Sequence, residues 1–196
     1  NWCDALEVVP SEQWSLKVYG AKFPEGSINI VQKAWELLRN EYNIGAVDCY
    51  LNKAIPHGAG LGGGSSDGAA MLVLLNNAAG LGLDQAQLEK LAATLGSDCP
   101  FFINPVPKLA YGRGEIFEDL KFSLAGKFIV LIKPEVSIST AEAYRHVKIS
   151  SPDFSLKNFL ETVPIQQWRG KLENAFEPFA FEVIPELEVI KDELYN

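Results

Sequence analysis

Ile55-Pro56-His57-Gly58-Ala59-Gly60-Leu61-Gly62-Gly63-Gly64-Ser65-Ser66-Asp67 is the stretch on which the reading of this chain turns. Six glycines fall between Gly58 and Gly68, and Ser65 and Ser66 stand where a helix should open. Glycine lets the backbone adopt positive φ and come close to a ligand. The free N–H groups of a first helical turn, at the positive end of the helix dipole, attract phosphate. The two serine hydroxyls add donors at the same place. The rival reading is a flexible glycine hinge, which the strand pattern before the loop and the apolar helix pattern after it disfavour. The helix is expected to begin at Ser65 to Asp67, with the loop amides converging on one phosphate-sized space.

Two commoner phosphate loops are excluded. Gly58, Gly60 and Gly63 formally satisfy G-x-G-x-x-G. The strand before them, Ala46 to Ile55, alternates polar and apolar residues and runs into Pro56, whereas the first strand of a dinucleotide fold is buried on both faces and nearly all apolar. A P-loop needs Lys followed by Ser or Thr after its last glycine; here Gly63 is followed by Gly64 and Ser65.

Working outward, Ala5 to Val9 and Trp14 to Tyr19 read as strands, the second with clean alternation. Gly20 to Gly26 is a loop. Ile30, Val31, Ala34, Trp35, Leu37 and Leu38 recur at helical spacing, with Ser27 or Asn29 as a cap. Asp67 to Leu75 is a tightly packed helix. Gln85 to Leu95 is another, with Asp84 as N-cap and Gly96 as stop. Phe101 to Ile103 and Lys108 to Tyr111 read as short strands, and the unbroken apolar run Phe128 to Ile132 as a central strand. Helices follow at Thr140 to Val147, Phe154 to Thr162, Leu172 to Phe179 and Glu186 to Tyr195. A change of style at Leu120 to Gly126 marks the domain boundary, giving domains 1–120 and 121–196.

The chain has 196 residues, 47% of them hydrophobic and 21% charged, with a net charge of -8. That composition is globular and not disordered. It is a poor partner for nucleic acid, which needs clustered Lys and Arg, yet backbone amides can still hold phosphate. Cys3, Cys49 and Cys99 are far apart and in no metal spacing, so free thiols in a reducing cytoplasm are expected, with no disulfide and no protein-held metal. No apolar run reaches membrane-spanning length, and the opening residues carry no signal-peptide pattern. A monomer or homodimer is expected.

Ile55 to Asp67 resembles the P-x-x-x-G-L-G-S/G-S-S loop of the GHMP kinases. Gly96-Ser97-Asp98-Cys99-Pro100-Phe101-Phe102 is similar to a G-A-D-V-P-F-F segment of one branch of that family, whose acceptor is a diphosphocytidyl alcohol of isoprenoid biosynthesis. Tyr111-Gly112-Arg113-Gly114-Glu115, Lys133 to Thr140 and Leu172 to Glu177 are similar to later segments of the same branch. The resemblance covers nearly the whole chain in the right order. It implies an α+β fold of two domains: an N-terminal domain like ribosomal protein S5, with a left-handed βαβ unit, and a ferredoxin-like C-terminal domain. ATP, a magnesium ion and the diphosphocytidyl substrate would occupy the cleft between them.

For the site, the resemblance makes Pro56, Gly58, Ala59, Gly60, Leu61, Gly62, Gly63, Gly64, Ser65 and Ser66 the ATP phosphate loop. It makes Asp98 the catalytic acid–base and substrate-binding residue, where the residues alone support only a turn cap. It places Asn29 against the nucleotide, with a helix N-cap as the rival or joint role. Lys53 would lie beside adenine and ribose, or else be a solvated strand residue. Tyr144 would stack on cytosine, or else pack its own helix. His57 reads as surface, and His146 as structural or exposed. The alternatives to this branch are another GHMP kinase, of homoserine or mevalonate type, and a non-catalytic nucleotide-binding relic. The family's opening P-x-K-x-N-L strand, its D-G-Y-H turn and its closing G-S-G-S loop are not among these 196 residues. The resemblance therefore implies that the stretch Asn1 to Asn196 alone would not turn over.

Overall fold

The computed structural model describes residues 2–20, 28–57, 59–134, 136, 138–148 and 153–195. They form two compact units, Asn1–Asp119 and Leu120–Asn196.

The first unit runs β1 (Ala5–Ser11), β2 (Ser15–Gly20), α1 (Ile30–Tyr42), β3 (Ala46–Lys53), α2 (Gly63–Ala78), α3 (Gln85–Leu95), a 3-10 helix (Cys99–Ile103), β4 (Lys108–Tyr111) and β5 (Ile116–Asp119). The three longer strands form a sheet in the order β1-β3-β2. β1 pairs antiparallel to β3, with Val8 opposite Cys49 and Leu6 opposite Leu51. β2 pairs parallel to β3, with Leu16 opposite Cys49 and Val18 opposite Leu51. A parallel neighbour cannot be reached by a hairpin, so α1 crosses between β2 and β3 and makes a βαβ unit. Alternation along β3 turns Val47, Cys49 and Leu51 onto the buried face.

Three helices close over that face. Asn29 opens α1, its side-chain oxygen accepting from the Val31 amide at 3.0 Å, and Asn43 closes it in the left-handed region at φ 53°. The stripe Val31, Ala34, Trp35 and Leu38 is buried. Asp84 and Gln87 form a reciprocal capping box at the start of α3, satisfying two otherwise orphan amides. Met71, Leu72 and Leu75 of α2, with Leu88 and Leu91 of α3, complete one core cluster.

The second unit holds α4 (Thr140–His146), α5 (Leu156–Thr162), a short 3-10 helix (Ile165–Gln167), α6 (Glu177–Val183) and α7 (Glu186–Tyr195). None of its helices contains a buried residue.

Several expectations need correction. Phe128 to Ile132 is not a strand: Phe128 is 99% exposed and Ile132 52%. A strand exists only by pairing, since its amides need a ladder, and no described residue of this unit supplies one. The α+β fold class itself stands, although no described residue of this unit is in a strand. Phe101 to Ile103 is helical and not extended, because Pro100 carries a helical φ and no N–H, which suits a first turn. The helix expected at Leu172 to Phe179 instead spans Glu177–Val183, again with its proline, Pro178, in the first turn. β5 was not anticipated; it returns from the Tyr111 to Glu115 turn to pair with β4. Ser27, offered as an alternative cap, lies outside the described residues.

Candidate functional site

β3 delivers the chain to the glycine loop, and the loop delivers it to α2. The helix opens at Gly63, two residues earlier than expected, with Gly62 as N-cap at φ 69° and ψ 8°. That left-handed conformation is cheap only for glycine, and a Cβ at Gly62 would stand 2.7 Å from the Phe102 ring. The Ser66 amide donates to the Gly62 carbonyl at 2.9 Å and begins the helical ladder. The amides of Gly63, Gly64 and Ser65 precede that bond, so they have no intrahelical acceptor. The N-cap is a glycine and gives them no side-chain cap.

A cavity of about 180 Å³ opens in front of those amides, lined by Lys53, Pro56, His57, Ala59 and the continuous run Gly60 to Ser65. Pockets that enclose a whole drug-sized ligand start near 300 Å³, so this space suits one end of a ligand. Three uncapped amides at the head of a 16-residue helix make that end an anion. Ser66, the fourth residue of α2, is not in the cavity wall, and Gly58 lies outside the described residues. The second unit has a larger cavity, about 820 Å³, with His146, Lys148, Phe154 and Lys171 among its walls. It contains none of the expected site residues.

The 3-10 helix Cys99–Ile103 packs directly behind the loop. Phe102 lies against Gly62, and the Cys99 thiol is raised in pKa by burial, with the Ser65 hydroxyl opposing and the nearby Asp98 charge reinforcing. Asp98 is the next residue, at the N-terminal edge of that helix and exposed. Ser97 Oγ donates to Asp98 Oδ1 at 3.3 Å, and a Cβ at Gly114 would come within 3.4 Å of that same oxygen. The turn between β4 and β5 therefore flanks the Asp98 carboxylate. Asp98 is exposed and is not among the residues that line the cavity.

Lys53 is neither solvated nor free to reach outward. Its ammonium is buried, 7% exposed, between the carboxylates of Asp4 and Asp67, the latter at 2.8 Å. Asp4 Oδ1 also accepts from the amides of Ala54 at 2.7 Å and Ile55 at 2.8 Å. Burial alone would lower the Lys53 pKa, but the hydrogen bonds and charges of the two carboxylates raise it. Burial alone would raise Asp4, but the Ile55 amide, Lys53 and the Ala54 amide together hold it low. Asp67 goes the other way: burial dominates and pushes it up to about 6, with Lys53 opposing and Asp4 reinforcing. Sequence reasoning assigned no role to Asp4 or Asp67. The available signal was the β3 alternation, since Lys53 falls two residues after buried Leu51 and so on the buried face.

Asn29 is buried and caps α1. Tyr144, on α4 of the second unit, is 63% exposed and meets Phe176 edge-on at 5.0 Å. His57 is exposed. His146 stacks on Phe179 at 4.0 Å. Among the described residues no group of three His, Cys, Asp or Glu could hold a metal ion, and no helix is long and apolar enough to cross a membrane.

Residues 29–104 match the GHMP kinases N terminal domain. The 4-diphosphocytidyl-2-C-methyl-D-erythritol kinase of Parabacteroides distasonis is 42% identical over 98% of this chain and 71% of its own length. That of Bacteroides fragilis is 46% identical over 98% of this chain and 72% of its own. The chain belongs to the 4-diphosphocytidyl-2-C-methyl-D-erythritol kinases, a branch of the GHMP kinases. A crystal structure of 4-(cytidine 5'-diphospho)-2C-methyl-D-erythritol kinase agrees in fold, with a TM-score of 0.71 at 32% identity over 95% of this chain and 67% of that one. ATP is the phosphate donor that membership of the GHMP kinases implies.

Proposed function

We propose that this protein transfers the γ-phosphoryl group of ATP to a hydroxyl of 4-diphosphocytidyl-2-C-methyl-D-erythritol, a step in isoprenoid precursor biosynthesis. The observation that carries the reading is the uncapped, glycine-built head of α2 facing its own cavity, in a chain 42% identical to a kinase of that name. The loop from Pro56 to Ser66 holds the phosphates through backbone amides and the Ser65 hydroxyl. Asp98 takes the acceptor's proton as its oxygen bonds to the γ-phosphorus and the bond to the departing ADP breaks. Asn29 borders the nucleotide as well as capping α1, and Tyr144 offers its exposed ring to cytosine.

Magnesium fits as a companion of ATP and not as a resident ion. The described residues offer no cluster of three potential ligands, and magnesium commonly binds through phosphate oxygens, water and one or two carboxylates. The hydroxyl of Ser65, which lines the cavity, and the carboxylate of Asp98 are the oxygens that would share it. Bound there, the ion would neutralise phosphate charge. The two buried cysteines and exposed Cys3, all free, support a reducing cytoplasmic setting.

The test is a coupled ADP-release assay on the full-length protein with the diphosphocytidyl alcohol as acceptor. Asp98→Asn should lower turnover by roughly a hundred- to ten-thousand-fold while ATP affinity stays within about twofold. Near-normal turnover in that variant would remove Asp98 from the mechanism.

A further inference from the structure

Lys53 invites a simple role, a cation beside bound nucleotide, and its surroundings argue against it. The ammonium already meets two carboxylates, Asp4 and Asp67, each 7% exposed. Two carboxylates and one ammonium carry no net positive charge. An incoming phosphate would gain little from such a cluster, because nearby opposite charges on Lys53 cancel its pull.

The same contacts do something else. Lys53 is the last residue of β3, and Asp4 binds the two amides that follow it, Ala54 and Ile55. Pro56, next in the chain, has no amide to bind. Three successive residues at the loop entrance are thus held by one carboxylate about fifty positions away in sequence. At the loop exit, Asp67 lies one turn into α2 and reaches the same ammonium at 2.8 Å. Gly63, the first residue of α2, sits so close that a Cβ there would stand 2.9 Å from Ile55 and 3.3 Å from Lys53 Nζ. Both ends of the loop are therefore tied to a single buried point beneath it, and the span the loop must bridge is set from below.

We propose that Asp4, Lys53 and Asp67 are a positioning triad, which shapes the phosphate loop by pinning its entrance and exit; Lys53 also lines the cavity, but with its charge offset by two carboxylates it acts on the nucleotide through the loop backbone. This rests on the reading of the loop as the ATP phosphate site. It differs from that reading in assigning function to Asp4, whose carboxylate is no part of the cavity wall.

A double-mutant cycle decides it, with calorimetric affinities for ATP and for adenosine, which has no phosphates. The proteins are the full chain, Lys53→Met, Asp4→Ala and the double variant, each checked for folding by circular dichroism. Each single variant should weaken ATP binding about tenfold or more and leave adenosine within about twofold. The double variant should be no worse than the weaker single, because both break one unit. Asp4→Asn, which keeps an oxygen for the Ala54 and Ile55 amides, should restore most of the affinity lost in Asp4→Ala, and it serves if Asp4→Ala does not fold. Loss in Lys53→Met with none in Asp4→Ala, or losses that multiply in the double variant, would overturn the proposal in favour of direct contact. Wild-type chain that binds ATP no better than adenosine would instead overturn the phosphate-loop reading, and the triad's role with it.

Discussion

The two units of this chain have comparable apolar vocabularies and opposite outcomes. In Asn1–Asp119, Leu38, Cys49, Leu51, Met71 and Leu72 are completely buried, and a lysine with two aspartates is buried among them. In Leu120–Asn196, the five-residue run Phe128 to Ile132 lies open, and the ion pair of Lys191 with Glu177 sits at the surface, 37% and 31% exposed. A sheet with helices over one face has somewhere to put apolar side chains; short helices without a sheet do not. The ion pairs follow the same rule. Surface pairs are worth about 0–1 kcal/mol and are screened by salt, while breaking a buried pair from one side typically costs about 3–5 kcal/mol. The residues proposed for chemistry at the loop stand on the unit that can hold them still.

The widest gap between the units should appear in core truncation. Leu51→Ala removes a side chain with no exposed surface and should cost about 3 kcal/mol of unfolding free energy. Ile129→Ala, at a position 76% exposed, should stay within about 0.5 kcal/mol. Chemical denaturation followed by circular dichroism checks both, and equal losses would erase the contrast.

A smaller effect concerns the buried charges. Asp67 is raised from an ordinary 3.8 to about 6 in the fold, so the folded chain holds that proton more tightly than the unfolded one. Its contribution is fully present below about pH 4 and is lost as pH rises through 6. Asp4, held low, contributes in the opposite sense at more acid pH, and Lys53, held high, does not change below pH 10. Cys49, which also feels Asp67, titrates only near 11. Wild-type stability should therefore fall by about 2 kcal/mol between pH 4.5 and 7 from this group, and Asp67→Asn should flatten that slope. Unfolding curves at the two pH values measure it; an unchanged slope in Asp67→Asn would mean that Asp67 is not the titrating group.

Much of the first unit was legible because its signals are local. The period of α1, the Asp84 cap of α3 and the alternation of β3 each depend on side chains near in sequence. The glycine loop was legible for the same reason, and the helix start missed by two residues because Gly63 and Gly64 are poor helix formers that the close packing on Ile55 nonetheless accommodates. What escaped was non-local. The burial of Lys53 could be read from its register, but its partners could not, since Asp4 and Asp67 come together only once β1, β3 and α2 are assembled. Phe128 to Ile132 looked like a strand because a short apolar run says nothing about whether a partner strand exists. Phe101 to Ile103 misled because aromatic β-propensity yielded to Pro100 and a tight turn.

The central claim is that the head of α2 is a phosphate site, and Gly64 tests it most directly. It lines the cavity, and a Cβ there would meet nothing within 4 Å. Gly64→Ala therefore adds a methyl group to the empty space and nothing to the protein's packing. The fold should tolerate it, and a helix gains up to about 1 kcal/mol when alanine replaces glycine. The measurement is ATP affinity by calorimetry beside the thermal midpoint of the same sample. Affinity reduced about tenfold or more, with a midpoint unchanged or higher, is the predicted result; ATP bound as tightly as by wild type would contradict it.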